Sequence, residues 1–132
     1  MRRVCFRLLV KPGHIDAYRV AHAAVWADML SALHDTGWRN YSIFLSPDGL
    51  VIGYFETEDL QANLDGMAAT PINARWQAAM AEHFVNLDVP ADQAFHYLDE
   101  VFNLDDQLTN INININKNSL DNNSTTQNGN RS

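Results

Sequence analysis

The chain has 132 residues, 46% of them hydrophobic, a formal net charge of −7 and a pI near 4.9. That is enough for one ordinary domain and too little for two. The acidic balance argues against nucleic-acid binding, which needs a basic face to displace counterions, and against docking on an anionic membrane; a lone cysteine, Cys5, excludes an intrachain disulfide framework.

Arg7 and Lys11 interrupt the apolar run near the N-terminus, which is too short for a signal peptide, and no stretch approaches membrane-spanning length. The expectation is a cytoplasmic protein. Residues 3–10 alternate, with Val4, Phe6, Leu8 and Val10 on one side and Arg3, Cys5, Arg7 and Leu9 on the other. This is the pattern of a strand with one face in a core. Pro12-Gly13 ends it. Helical spacing of Ile15, Tyr18, His22, Val25, Trp26, Met29 and Leu33 predicts one helix from about His14 to Asp35, stopped by Gly37.

Asn40 to Leu45 reads as a second strand, Ser46-Pro47-Asp48-Gly49 as a turn, and Leu50 to Glu56 as a third strand. A short, weak helix follows from about Glu58 to Ala68. Thr70 caps a better one with Pro71 at its first position, running to about Phe84. Asn86 to Ala94 reads as loop and Phe95 to Leu104 as the last strand.

The order βαββαβ is that of an α+β ferredoxin-like sandwich. Helices would cover one sheet face. The other carries Cys5, Leu9 and apolar hairpin residues, and a second copy covering it would make a homodimer closed into a dimeric α+β barrel. The domain is expected over residues 1–106. From 107 to 132 the chain becomes Asn-rich and low in complexity, with Asn110 to Asn116 alternating Asn and Ile before Lys117-Asn118, and is expected to be disordered.

Residues that could carry chemistry are few. The five histidines are scattered, with no HExxH and no cysteine-based metal motif. His22 follows Tyr18 by four residues, so a helix sets phenol and imidazole on one face. A lone histidine on an apolar face is more often a core residue, and Tyr41 and Trp76 have the same bland reading. Spacing alone leaves both readings open.

The stretches Tyr18-Arg19-Val20-Ala21-His22 with Val25-Trp26, then Asn40-Tyr41-Ser42-Ile43, Arg75-Trp76 and Glu100-Val101-Phe102 resemble the L-rhamnose mutarotase family. The resemblance runs from residue 1 to about 104. It implies a dimeric ferredoxin-like barrel, a small-molecule sugar as partner, and no cofactor or metal. It also implies His22 as proton donor and Tyr18, Tyr41 and Trp76 as sugar-binding residues. Gln77 stands where the family has a second tryptophan of a tandem pair. Asn86-Leu87-Asp88-Val89 replaces an acidic Asn-Pro-Asp-Asn loop, and Arg7 takes an apolar position. If Arg7 faced the pocket it would add positive charge to it.

The implied reaction opens a hemiacetal: the ring oxygen gains a proton while the anomeric hydroxyl loses one. A histidine near pKa ~6.5 can give and take that proton at neutral pH. Tyr18, Asp88 and bound water are the open choices for the base. Two other readings stand beside this one. The same barrel hosts small monooxygenases, and the pocket would also serve a non-catalytic sugar-binding or regulatory module.

Overall fold

The alternation in β1 (Arg2–Leu9) organises the computed structural model, which describes residues 1–122. Val4, Phe6 and Leu8 enter the core, while Arg7 and Leu9 stay exposed. β1 pairs antiparallel with β3 (Leu50–Thr57) on one side and with β4 (His96–Leu98) on the other. β2 (Arg39–Leu45) pairs antiparallel with β3, so the sheet order is β2-β3-β1-β4. That is the strand order of the ferredoxin-like α+β sandwich expected from the element sequence. The hairpin turn forms as predicted: the Gly49 N–H donates to the Ser46 carbonyl at 3.0 Å, and Gly49 takes φ 95°, which glycine alone adopts without strain.

The first predicted helix is instead two, α1 (Ile15–Ala23) and α2 (Ala27–Asp35). The chain extends between them, with Ala24 at φ −149°, ψ 77° and Trp26 at φ −55°, ψ 136°. One straight helix over residues 14–35 would run about 33 Å, against roughly 26 Å for a strand the length of β1. The break lets both halves reach the core, through Tyr18 and Met29. α2 ends as expected at Gly37: the Trp38 N–H donates to Leu33 O and the Gly37 N–H to His34 O, both at 3.1 Å. This is a Schellman closure around a residue of positive φ.

α3 (Leu60–Ala68) is capped by Asp59, which accepts from the Ala62 N–H at 3.1 Å. α4 (Pro71–Met80) is capped by the Thr70 hydroxyl, as its sequence predicts. It stops four residues short of the expected Phe84 and passes into a 3-10 turn, Ala81–His83. The two helices deliver Met67, Trp76 and Met80 to the core that β1 and β3 fill from below.

Two local devices position the site. Between Arg39 and Ser42, β2 carries an extra residue relative to β3, with Asn40 at φ 49°. Such a bulge re-aims the side chain beside it, and Asn tolerates this region better than most residues. Tyr41 thereby joins Ile43 and Leu45 against the core. On β3, a Cβ built on Gly53 would lie 2.1 Å from the Phe6 ring. The missing side chain makes room for Phe6, which stacks on Phe95 with centroids 3.6 Å apart.

The last strand is shorter than predicted: three residues rather than a run to Leu104. The pair from Arg3 Nε to Glu100 Oε2, at 2.6 Å, secures the chain just beyond it. Met1–Glu100 forms one compact unit and the chain from Val101 a second. Where the composition predicts no regular structure, a helix α5 spans Leu104–Asn122. Its start has a physical cause: Asn103 Oδ1 accepts from the Asp106 N–H at 2.9 Å, and Asp105 and Asp106 face the positive helix end. Residues 123–132 of the Asn-rich segment lie outside the described residues.

Candidate active site

The helices and the core face of the sheet line an open cavity of about 650 Å³. His22, Tyr18, Tyr41, Trp76 and Gln77 all line it. Residues from two helices and an edge strand thus meet in one place. Arg7 does not: it is exposed on the opposite face of β1, paired across the sheet with Ile52 and His96. The alternation that buries Phe6 and Leu8 turns Arg7 away.

The break after α1 puts His22 in that helix's last turn. Its Nδ1–H donates to the Tyr18 carbonyl at 2.9 Å, which leaves Nε2 as the nitrogen available to the cavity. The imidazole lies over the Tyr18 ring, centroids 4.1 Å apart, and meets Trp76 edge-on at 5.4 Å. Trp26 closes on the other side of this group, edge-on to Trp76 at 5.0 Å. Burial among these rings pushes the His22 pKa below its ordinary 6.5; the Tyr18 carbonyl opposes the shift and the His83 charge adds to it. Neutral imidazole is therefore the resting form at neutral pH.

The tyrosines play a different part. Burial raises the pKa of both Tyr18 and Tyr41, with the charges of Tyr18 and Asp92 adding at Tyr41. Both stay phenols at physiological pH, which suits a hydrogen-bond donor and removes Tyr18 as a base. Tyr41 is held against Trp38, centroids 5.2 Å apart.

Asp88, the other protein candidate for a base, is exposed and outside the cavity wall. The carboxylate that does line the cavity is Asp92, on the 3-10 turn Ala91–Gln93. Asn73 Nδ2 donates to its Oδ2 at 2.9 Å, and Asn73 Oδ1 in turn accepts from Gln77 Nε2 at 3.1 Å. Asn73 is buried, its backbone N–H taken by the Thr70 cap. A chain Gln77–Asn73–Asp92 therefore runs along the wall. Sequence reasoning missed Asp92 and Asn73; the only available signal was an acidic residue in the loop before β4, four positions beyond Asp88. Among the described residues, Gln77 Oε1 and Trp38 Nε1 are buried without a hydrogen-bond partner. Both belong to residues of the cavity wall, which thus carries unmet acceptor and donor capacity.

A sequence model described as L-rhamnose mutarotase matches residues 3–104. The chain belongs to the L-rhamnose mutarotase family. It is similar to the L-rhamnose mutarotase of Phocaeicola vulgatus, 30% identical over 102 residues, a match covering 73% of this chain and 98% of that one. It is 29% identical over 82 residues to the L-rhamnose mutarotase of Paraburkholderia phytofirmans, covering 62% of this chain and 77% of the other. Among solved structures, L-rhamnose mutarotase FA22100 from Formosa agariphila superposes with a TM-score of 0.63. It shares 23% identity and covers 79% of this chain and 99% of that one, a likeness of fold. Members of the L-rhamnose mutarotase family are carbohydrate isomerases of the racemase and epimerase class, which interconvert anomers. No helix among the described residues is long and apolar enough to cross a membrane.

Proposed function

We propose that the protein interconverts the α and β anomers of L-rhamnose or a closely related sugar by acid/base-assisted ring opening. The observation that carries this reading is the His22 arrangement: one ring nitrogen pinned to the Tyr18 carbonyl, the other left to a cavity walled by aromatic faces. His22, in its imidazolium form, protonates the ring oxygen from Nε2. Asp92, oriented by Asn73, takes the proton of the anomeric hydroxyl. The hemiacetal C–O bond breaks, the aldehyde turns about its bond to the chain, and reclosure returns each proton to its donor. Tyr18 and Tyr41 donate hydrogen bonds to sugar oxygens, and Trp76 offers an apolar face. Because the reaction proceeds unaided in water, acid/base assistance of ~10²–10⁴-fold suffices.

Gln77 alters one wall of the site. A second tryptophan would present a flat apolar surface; Gln77 presents an amide with a free acceptor. This favours a broader sugar preference, extending to more hydroxylated sugars. The test is proton NMR exchange between anomeric signals of L-rhamnose, other 6-deoxy sugars and common hexoses, with wild type and Gln77→Trp. No catalysed exchange with any of them would refute the mutarotase reading. Oxidation of a quinol-like substrate would favour the monooxygenase reading instead.

The second sheet face supports a homodimer. Leu9, Phe44 and Leu98 are 46%, 63% and 44% exposed there, an apolar surface a lone chain would leave in water. Light scattering at micromolar concentration should give twice the chain mass; a monomer with full activity would overturn the barrel reading.

A further inference from the structure

Behind the Tyr18 wall two histidines far apart in sequence meet. His14 ends the 3-10 turn Pro12–His14, and His83 ends the turn Ala81–His83. Their Nδ1 atoms stand 3.1 Å apart. The contact is held by the backbone: the Lys11 N–H donates to His83 O at 2.7 Å and the Val85 N–H to Leu9 O at 3.0 Å. His83 is buried, His14 half-buried, and the Glu82 carboxylate is exposed beside them. One donor atom from each of His14, Glu82 and His83 lies within 4.8 Å of the others.

We propose that His14, Glu82 and His83 bind a late first-row divalent cation, with zinc the best match. Two imidazoles and a carboxylate, with water in the fourth position, are a common zinc donor set. Two nitrogens each ~2.0–2.1 Å from one tetrahedral ion stand about 3.3–3.4 Å apart. The observed separation needs a shift of only about 0.3 Å to meet that. The ion would replace the direct contact between the two Nδ1 atoms, and Glu82, exposed beside them, would reach it by side-chain rotation. Oxygen-seeking ions such as magnesium and calcium do not suit two imidazoles. His83 also meets the Tyr18 ring edge-on at 6.4 Å, so a bound ion would brace the partner of His22 from behind.

The test uses full-length protein carrying no histidine tag. Calorimetric titration with zinc chloride should show one ion per chain, at micromolar affinity or tighter. Cobalt(II) should give the visible absorption of a tetrahedral site. His14→Ala should weaken zinc binding more than about 100-fold, beyond the effect usual for outer-shell changes. Glu82→Gln, at an exposed position that leaves the fold alone, should weaken it less. Zinc should raise the melting temperature of wild type and not that of His14→Ala. No binding to wild type, or equal binding to wild type and both variants, would overturn the proposal.

Discussion

Replacing His22 with Asn separates catalysis from packing. The variant removes the titrating Nε2. It also removes the hydrogen bond to Tyr18 O and the ring contacts with Tyr18 and Trp76. A net hydrogen bond contributes about 1 kcal/mol and an aromatic pair ~0.5–1.5 kcal/mol. Against this, a half-buried imidazole whose pKa is depressed was itself poorly solvated, so part of the loss is returned. A net destabilisation of about 1–2 kcal/mol follows, a fall in melting temperature of ~5–10 °C for a domain of this size. The chemical loss is larger: ~10²–10⁴-fold in anomer exchange, or about 2.7–5.4 kcal/mol of barrier. Both are measured on one sample, melting by circular dichroism and exchange by saturation transfer between the anomeric protons of L-rhamnose. If exchange per folded molecule stays within about threefold of wild type, His22 is a packing residue and the mechanism is wrong.

Asp92→Asn keeps an acceptor for Asn73 Nδ2 but removes the proposed base, so exchange should fall by ~10²-fold or more with little change in melting; unchanged exchange would return the base role to water. Because the folded pKa of His22 lies below 6.5, the exchange rate should rise as pH falls from 7 into the range below 6.5, a rise absent from His22→Asn. The same depression means the unfolded chain binds a proton on His22 that the folded chain resists, so this group's contribution to stability is complete above pH 6.5 and shrinks below it. Wild type should accordingly lose melting temperature faster than His22→Asn as pH falls below 6.5, and parallel curves would contradict the shift. Gly53→Ala would set a methyl inside the Phe6 ring and should destabilise by roughly 1–3 kcal/mol, with unchanged denaturant midpoints showing that the ring yields freely. Catalysis is assigned to residues 1–106, so deleting residues 108–132 should leave melting and exchange as they are; loss of either would tie the helical segment to the domain.

Much of this protein is written in interactions between near neighbours, and those were legible. The alternation of β1, the Thr70-Pro71 helix start, the Gly37 stop and the Ser46–Gly49 turn each depend on a few adjacent residues. So does the pairing of Tyr18 with His22, which needs only one helical turn. The resemblance then singled out Tyr41, Trp76 and Gln77, and the fold gathers them around one cavity.

What sequence could not decide depends on distances between elements. The break between α1 and α2, where Ala24 and Trp26 leave helical backbone angles, lets both halves pack on one core, and periodicity along a helix does not report it. Tyr41 reaches the cavity through a bulge at Asn40, visible only once β2 is in register with β3. Asp92 becomes part of the site because the segment before β4 returns to Asn73 on α4, and Arg7 is excluded because β1 keeps its other face to the core. His14 and His83 show the limit most clearly: scattered along the chain, they come within 3.1 Å only because the ends of β1 and α4 are held together by backbone hydrogen bonds. Local pattern sets which residues share a face; the topology of the sheet sets which faces meet, and the chemistry of this site lies where they do.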